Sequence, residues 1–301
     1  MRTALLFVAA VALLALVPLG VSGYVIGLLT FAWYFGVFAM SWDLLFGYAG
    51  EVNFGPTFLI GLGAYGAGML NTLLGWPVPA CVLGGAGIAV VGGLLLAVPA
   101  LRLSGPYFGL VTLVAVLLLQ QGVTIGAHWT GGEIGLALDD VLSIDERVNY
   151  WVALGFLGVS GLVLLAYSRS PAGLILQACG QDRVQAGALG FNVAKHKVAA
   201  FCLSALFSGL SGAMLVFYYG TVSPGTVVDI AVGVQVIIAA VLGGRRTIVG
   251  AVIGATFLVV AGEQLRPLGQ LSTFVVSGVA LAAILFFPDG ILGVLRRFRR
   301  A

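Results

Sequence analysis

Long stretches without a charged residue alternate with short polar segments along this chain. A membrane-spanning α-helix needs about 20 mostly apolar residues, so each shorter stretch can hold one span and each longer stretch two. The strands of a membrane β-barrel would instead alternate polar and apolar residues over about 10 positions. The pattern therefore predicts an all-α, polytopic integral membrane protein. The uncharged stretches are 3–42, 52–101, 103–132, 148–168, 198–228, 247–262 and 267–288.

Ten helices fit this pattern, and together they predict a single transmembrane domain over residues 1–301. Two segments fit less well, because 231–244 is short and 47–53 is interrupted by glycines beside Glu51. Either one suits a re-entrant or broken helix, which membrane proteins tolerate where protein or a water cavity satisfies the freed backbone groups. Eight or nine spans are therefore the alternative. The predicted helices lie near 4–21, 23–46, 54–74, 78–98, 105–125, 151–168, 197–219, 231–244, 247–263 and 271–287.

The distribution of Lys and Arg predicts the orientation, because cytoplasmic loops carry an excess of both residues. With both termini in the cytoplasm, 12 of the 14 Lys and Arg residues lie inside, and only Arg147 and Arg266 lie outside. This threading places the loop 126–150 outside the cell and a polar insert, residues 169–197, in the cytoplasm. The apolar start of the chain has no evident A-x-A cleavage site, so it is interpreted as a retained first span.

Composition strengthens the membrane assignment. Hydrophobic residues make up 60% of the chain and charged residues 8%, against about 25% charged in soluble domains. Glycine is abundant, with 45 residues in 301, and small residues let helix backbones approach closely in lipid. The three cysteines and two histidines are scattered without metal-ligand spacing, so we expect packing roles and no metal site.

The few charges at the ends of predicted spans have structural interpretations. Asp43, Glu51 and Glu263 lie near interfaces, where a charge costs less than the roughly 2.5–3.5 kcal/mol of the bilayer centre. Pairing, for example of Glu263 with Arg266, is therefore favoured over a proton relay. The basic tail 296–300 is interpreted as a topology anchor that touches anionic membrane lipid, and nothing indicates nucleic-acid binding.

The polar insert at 169–197 predicts a short helix between two loops. Pro171 ends the preceding span, and residues 174–189 contain no proline. Gly190 suits the position after a helix C-terminus, and Asn192 suits the N-cap of the next helix. The run Ala186, Gly187 and Ala188, flanked by the charges of Asp182 and Arg183, would let this helix dock closely on a partner. The alternative is an ordinary solvated connector.

Seven segments, from about 40 to 293, resemble the permease subunits of the branched-chain amino-acid class of ABC importers, in the same order. The insert departs from the family at Gln181, Arg183 and Gly187, where acidic residues are common, and "GGRRTIVGA" stands where the family often has "GGLGSxxGP". The seven segments are "SWDLLFGYAGEVNFGPTFLIGLGAY" (41–65), "LRLSGPYFGLVTL" (101–113), "TGGEIGL" (130–136), "CGQDRVQAGALGFNVAKHKVAAFCLSALFSGLSGAM" (179–214), "VSPGT" (222–226), "VLGGRRTIVGAVIGA" (241–255) and "FFPDGILG" (286–293).

The resemblance implies a type II ABC importer-like fold in the bacterial cytoplasmic (inner) membrane, without an enzyme activity of its own. The chain has no GxxxxGK[ST] loop, so ATP-Mg would be bound by two separate ABC ATP-binding subunits and no cofactor by this chain. The implied further partners are a second homologous permease subunit, forming a heterodimer, and a periplasmic or lipid-anchored substrate-binding protein. The residues expected to couple the chain to the ATPases are Asp182, Arg183, Ala186, Ala188, Leu189 and Gly190.

The substrate implied by the resemblance is a branched-chain amino acid or a related small amide such as urea. Polar, aromatic and glycine residues in the spans are candidates for lining its path, although each alone is more often an interhelical contact. Two other classes stay open: a self-sufficient secondary transporter or channel, which should carry paired charges near the midplane, and an intramembrane enzyme, for which no catalytic constellation is evident. The candidate path residues are Gly50, Asn53, Gly55, Tyr65, Tyr107, Thr112 and Gln235.

The predicted topology can be tested by cysteine labelling in intact cells. We expect an engineered cysteine at Gln185 to react with a membrane-impermeant maleimide only after the cells are opened, because the insert faces the cytoplasm. A cysteine at Ser143 in the outer loop, the matched control, should react in intact cells, with Cys81, Cys179 and Cys202 replaced in both variants. Labelling of position 185 from outside would contradict the orientation.

Overall fold

The computed structural model describes residues 2–100, 103, 106–269 and the isolated residues 271, 275, 278 and 290. Almost all of its elements are helical. The first helices are α1 (Arg2–Leu14), α2 (Gly23–Asp43), α3 (Pro56–Leu74), α4 (Val78–Ala100), α5 (Pro106–Ile125) and α6 (Ala127–Thr130). A π-helical turn, Leu44–Ala49, directly follows α2. The later helices are α7 (Glu146–Arg169), α8 (Pro171–Gln181), α9 (Arg183–Ala188), α10 (Val193–Tyr219), α11 (Pro224–Val227), α12 (Ile230–Gly243) and α13 (Val249–Leu265).

Seven helical segments in the described part of the chain are long and apolar enough to cross a membrane. The apolar helices Thr3–Leu19 and Val249–Leu265 are shorter, and the predicted span 271–287 lies outside the described residues. The all-α, polytopic prediction is confirmed, whereas the count of about ten spans is not. The seven segments are Gly23–Ala49, Pro56–Leu74, Val78–Ala100, Pro106–Ile125, Glu146–Arg169, Val193–Tyr219 and Pro224–Gly243.

The polar insert differs from its prediction in one respect. The single helix expected over 174–189 is in fact two helices, α8 and α9, and the chain breaks at Asp182. The backbone of Asp182 is extended, with φ −147° and ψ 108°, and its side chain caps α9. Asp is a strong N-cap residue because its carboxylate accepts backbone N–H groups that have no helical partner, and this preference explains the break.

The described chain divides into two compact units, and the prediction of a single transmembrane domain stays a prediction. The first unit comprises residues 1–43, 145–165 and 235–301, and the second comprises 44–144 and 166–234. Helix α13 packs on α2 in the first unit, whereas α3, α4 and α10 pack on one another in the second.

Glycine allows the close packing of the three central helices of the second unit. A Cβ atom added to Gly63 of α3 would lie 2.3 Å from the carbonyl oxygen of Gly209 in α10. One added to Gly85 of α4 would lie 2.4 Å from the carbonyl oxygen of Gly63. In lipid, such backbone contact replaces the hydrophobic driving force that packs helices in water. The expectation that the small residues serve helix packing holds at these positions.

Asn71, near the end of α3, fastens the loop that follows α6. Its Oδ1 accepts the backbone N–H of Asp139 at 3.0 Å, and its Nδ2 donates to Asp140 Oδ2 at 2.9 Å and to the Trp76 carbonyl at 3.1 Å. Nearby, two short antiparallel strands, β1 (Leu136–Ala137) and β2 (Thr221–Val222), pair in the same unit. The loop is therefore held to the helices at two places.

In the first unit, a buried carboxylate organises the turn before α13. Asp43, at the end of α2, is fully buried and accepts the backbone N–H groups of Arg246, Thr247 and Ile248 at 3.0, 3.1 and 3.1 Å. Arg246 and Ile248 have positive φ angles of 61° and 49°. This conformation is costly, above all for a β-branched residue, and persists only where surrounding contacts enforce it. The three hydrogen bonds to Asp43 are those contacts.

Removal of this carboxylate should therefore destabilise the protein strongly. We expect Asp43→Ala to lower the free energy of unfolding by roughly 2–4 kcal/mol, because three N–H groups, one buried and two part-buried, lose their acceptor. Denaturant titration of the purified protein in detergent micelles measures the change. Asp139→Ala, which removes an exposed carboxylate, is the control and should change stability by at most about 0.5 kcal/mol. Equal losses in the two variants would contradict the role of Asp43.

Candidate functional site

The helical structure is interrupted between α2 and α3, where the glycines suggested a re-entrant or broken helix. The π-helical turn Leu44–Ala49 is followed by residues 50–55, which have no regular structure, and Gly50 has a φ of 71°. We call residues 44–55 the broken segment. Most of this segment is buried, and buried backbone without regular structure requires hydrogen-bond partners, so its partners identify the parts of the chain that hold it.

Three of the predicted path residues meet at the end of the broken segment. Asn53 is 2% exposed, and its Oδ1 accepts the backbone N–H of Gly55 at 2.8 Å. Thr112 of α5 is fully buried, accepts the N–H of Phe54 at 3.0 Å and donates to the Gly109 carbonyl at 2.7 Å. A Cβ atom at Gly55 would lie 2.0 Å from the Thr112 carbonyl oxygen. Asn53, Gly55 and Thr112 therefore form one packed cluster.

The other path candidates are placed differently. Tyr65 lies in α3 and is 4% exposed, and its hydroxyl has no hydrogen-bond partner in the described part of the chain. The hydroxyl of Thr57, in the first turn of the same helix, is also buried and unpaired there. Tyr107 has an exposed side chain at the start of α5, and Gln235 is exposed and belongs to the first unit. The path assignments stay predictions.

Side-chain hydrogen bonds within the polar insert determine where its helices begin. Asp182 Oδ1 accepts the N–H groups of Val184 and Gln185 at 2.8 and 2.9 Å and so starts α9. Gly190 has a φ of 86°, which stops the helix where an L-residue would be strained. Asn192 caps α10 through the N–H of Lys195 at 3.0 Å. The predicted stop at Gly190 and cap at Asn192 are confirmed.

Helix α9 presents an apolar surface that its own unit does not cover. Ala186 is buried, whereas Val184 is 80% and Leu189 74% exposed. Arg183 and Ala188 are exposed beside them. This helix lies outside all seven candidate membrane spans, so lipid tails are not the expected cover. Exposed apolar groups rimmed by polar residues commonly mark a protein interaction site.

The insert touches the broken segment through backbone alone at one point. A Cβ atom added to Gly50 would lie 2.6 Å from the Gly180 carbonyl oxygen, and one added to Gly180 would lie 2.6 Å from the Tyr48 carbonyl oxygen. Helix α8 also packs against the π-helical turn and α10. At this contact the two backbones leave no room for a side chain on either glycine.

A second contact between the same two regions is a buried ion pair. Glu51 and Lys197, 146 residues apart in sequence, are bonded through Oε1 and Nζ and are 8% and 6% exposed. Burial raises the pKa of the nearby Cys179 thiol, and the positive charge of Lys197 opposes that effect. No prediction from the sequence included this pair. The only signal for it was two charges of opposite sign, each followed by a long uncharged stretch.

Comparison with known proteins identifies the family. A sequence profile described as the permease component of the branched-chain amino acid transport system matches residues 24–288. The chain belongs to this permease family. The resemblance of its seven segments to branched-chain amino-acid permeases is thereby confirmed.

Individual relatives of this permease carry names of the same kind. The high-affinity branched-chain amino acid transport system permease protein LivM of Escherichia coli (strain K12) is 26% identical, and the alignment covers 97% of this chain and 75% of that protein. BraD of Pseudomonas aeruginosa is 32% identical over 46% of this chain and 45% of its own length. LivH of Escherichia coli (strain K12) is 31% identical over 48% of this chain and 46% of its own. No solved structure gave a significant match.

Within residues 2–100, 103 and 106–269, no cluster of three or more His, Cys, Asp or Glu residues is placed to hold a metal ion. The predicted pairing of Glu263 with Arg266 is confirmed at 3.2 Å. Backbone amides, hydroxyls and one buried ion pair can bind and position a small polar molecule or a neighbouring helix.

Proposed function

We propose that this permease is the transmembrane subunit of an ATP-driven importer, and that α9 is the helix on which separate ATPase subunits act. The single observation that carries the proposal is the form of α9. This six-residue helix is capped by Asp182 and stopped by Gly190, and the side chains of Val184 and of its C-cap residue Leu189 are exposed. A short, capped, exposed helix between two spans suits a groove in a partner, because it loses little conformational entropy when it docks.

The proposed assembly contains two ATP-binding subunits, which bind ATP-Mg, and a second permease subunit. Relatives named LivM and LivH both align with this chain, which supports a pair of homologous permeases. The excess of Lys and Arg on one side of the predicted topology supports a cytoplasmic insert and cytoplasmic termini. A periplasmic or lipid-anchored binding protein would then deliver substrate to the opposite side, in a bacterial inner membrane.

The proposed substrate is a branched-chain amino acid or a related small amide such as urea. The broken segment supports this choice, since a helix N-terminus attracts a carboxylate or a carbonyl oxygen. Helix α3 begins there, and the buried Thr57 hydroxyl in its first turn lacks a partner among the described residues. Asn53, Gly55 and Thr112 hold the backbone that leads into this turn.

One observation favours a second candidate, a secondary transporter or channel that works without an ATPase. Such a protein should contain a buried charge pair, and Glu51 and Lys197 form one. However, Lys197 lies in the first turns of α10 and Glu51 just after the π-helical turn that ends the preceding span, so by sequence both lie near span ends rather than at mid-span. The pair also joins the broken segment to the last residue of the insert, which is the connection an externally driven permease requires.

The importer hypothesis predicts a selective loss of coupling when α9 is altered. We expect Gly190→Val to reach normal membrane levels but to abolish leucine-stimulated ATP hydrolysis in the purified complex, because a β-branched residue adopts the φ of 86° only at a high energetic cost. Asp182→Leu, which removes the cap, should act in the same way. The measurement is ATPase activity with and without the leucine-loaded binding protein, and urea is tested in a parallel series.

Gly75→Val is the matched control. Gly75 also follows a helix with a positive φ, of 61°, and has no neighbouring atom within 4 Å of an added Cβ, but it lies outside the insert. It should retain stimulation. Normal stimulation in Gly190→Val would refute the assignment of α9. Uptake of leucine or urea by the purified chain alone, in liposomes with an ion gradient and no ATP, would favour the secondary transporter.

A further inference from the structure

We infer that the Glu51–Lys197 ion pair is a positioning device that fastens the polar insert to the broken segment, so that displacement of the insert moves residues 50–55. The inference rests on the proposed function, because it assumes that an ATPase displaces α9. Neither residue is assigned to contact substrate or ATPase. Both act by holding the backbone of the insert in one fixed position against the backbone of the broken segment.

The insert is held to the broken segment on both sides of α9. Before α9, Gly180 lies in backbone contact with Gly50. After α9, Lys197 pairs with Glu51, the next residue of the segment. Helix α9 therefore lies on a stretch of chain whose two ends are fixed to consecutive residues. A force on α9 that moves Gly180 or Lys197 therefore also pulls on the other of these two residues or on the broken segment.

The broken segment carries this displacement onward to the predicted path. The Glu51 N–H donates to the Leu45 carbonyl at 3.1 Å, which ties the residue to the π-helical turn. Two residues later, Asn53 binds the N–H of Gly55, and Phe54 donates to Thr112 of α5. Only Val52 separates the ion pair from this cluster. Coupling between sites requires a continuous physical connection of this kind.

Electrostatics explains why a charged pair is suited to this position. Desolvation of two buried ions opposes their attraction, so a well-packed apolar pair is often as stable or more stable. Burial of Glu51 and Lys197 is therefore weak support for a purely stabilising role. The best-attested use of a buried polar contact is to fix one register against alternatives. Here the register is that of the insert against a segment without regular secondary structure.

The test is a double-mutant cycle in the complete complex with its ATPases, second permease and binding protein. Glu51→Gln, Lys197→Gln and the double variant are compared for leucine transported per ATP hydrolysed, with urea in a parallel arm. We expect each single variant to lose roughly 2- to 30-fold in this ratio. The double variant should lose no more than the worse single variant, because the two residues act as one unit. Glu263→Gln breaks the more exposed pair with Arg266 and should leave the ratio unchanged.

A merely structural role would give a different pattern. It would lower the amount and thermal stability of the complex while each assembled complex transported normally, and that result would overturn the inference.

If the single variants do not assemble, the charge-exchanged double variant Glu51→Lys/Lys197→Glu replaces them. Assembly of that variant without recovered coupling would also overturn the inference. If no variant assembles, hydrogen exchange of residues 50–55 in the wild-type complex must change when a non-hydrolysable ATP analogue binds. Unchanged exchange would contradict the inference.

Failure of the inference is distinguishable from failure of the proposed function. If the wild-type complex shows no ATPase stimulation by loaded binding protein, the importer assignment fails. If the wild type is stimulated and the Glu51 and Lys197 variants transport normally per ATP, only the positioning role fails.

Discussion

The backbone groups of the irregular connection between α2 and α3 need hydrogen-bond partners within the protein. This requirement determines how the site is built. Residues 50–55 connect two candidate spans without regular secondary structure, and most of them are buried, so their N–H and C=O groups need partners within the protein. The protein supplies partners from its own second unit: the Leu45 carbonyl, the Asn53 amide and the Thr112 hydroxyl. Because Thr112 lies on α5, the break is also a place where the broken segment is joined to another helix. A local backbone requirement thus creates the connection on which the proposed mechanism depends.

Close backbone packing makes that connection stiff. Gly50 and Gly180 meet without side chains, and Gly63 lies against Gly209 in the same unit. Packed interfaces without free volume shift between discrete arrangements rather than deform continuously. Glycine therefore does two things here: it permits the positive φ of Gly50, and it lets α8 lie in backbone contact with the broken segment. An ATPase acting on α9 would displace a packed body.

Much of this arrangement could be predicted from the sequence, and the remainder could not for identifiable reasons. Hydrophobic run lengths gave the helices, and Gly190 and Asn192 marked the ends of the insert because their preferences are local. The break at Asp182 was missed, since an uninterrupted run without proline from 174 to 189 favours one helix and the side-chain cap competes with that pattern. The Glu51–Lys197 pair and the role of Asp43 depend on contacts 146 and more than 200 residues apart. No period or spacing in a single sequence encodes such contacts.

The central claim is that a separate ATPase acts on the exposed face of α9, and photo-crosslinking tests it most directly. A photoreactive phenylalanine analogue at Val184, which is 80% exposed, is irradiated in membranes that contain the complete complex. The account predicts a covalent product between this permease and an ATP-binding subunit. It predicts no such product from Val159, which is 60% exposed on the membrane-spanning helix α7. Products with lipid or with the permease itself, and none with an ATPase, would contradict the account.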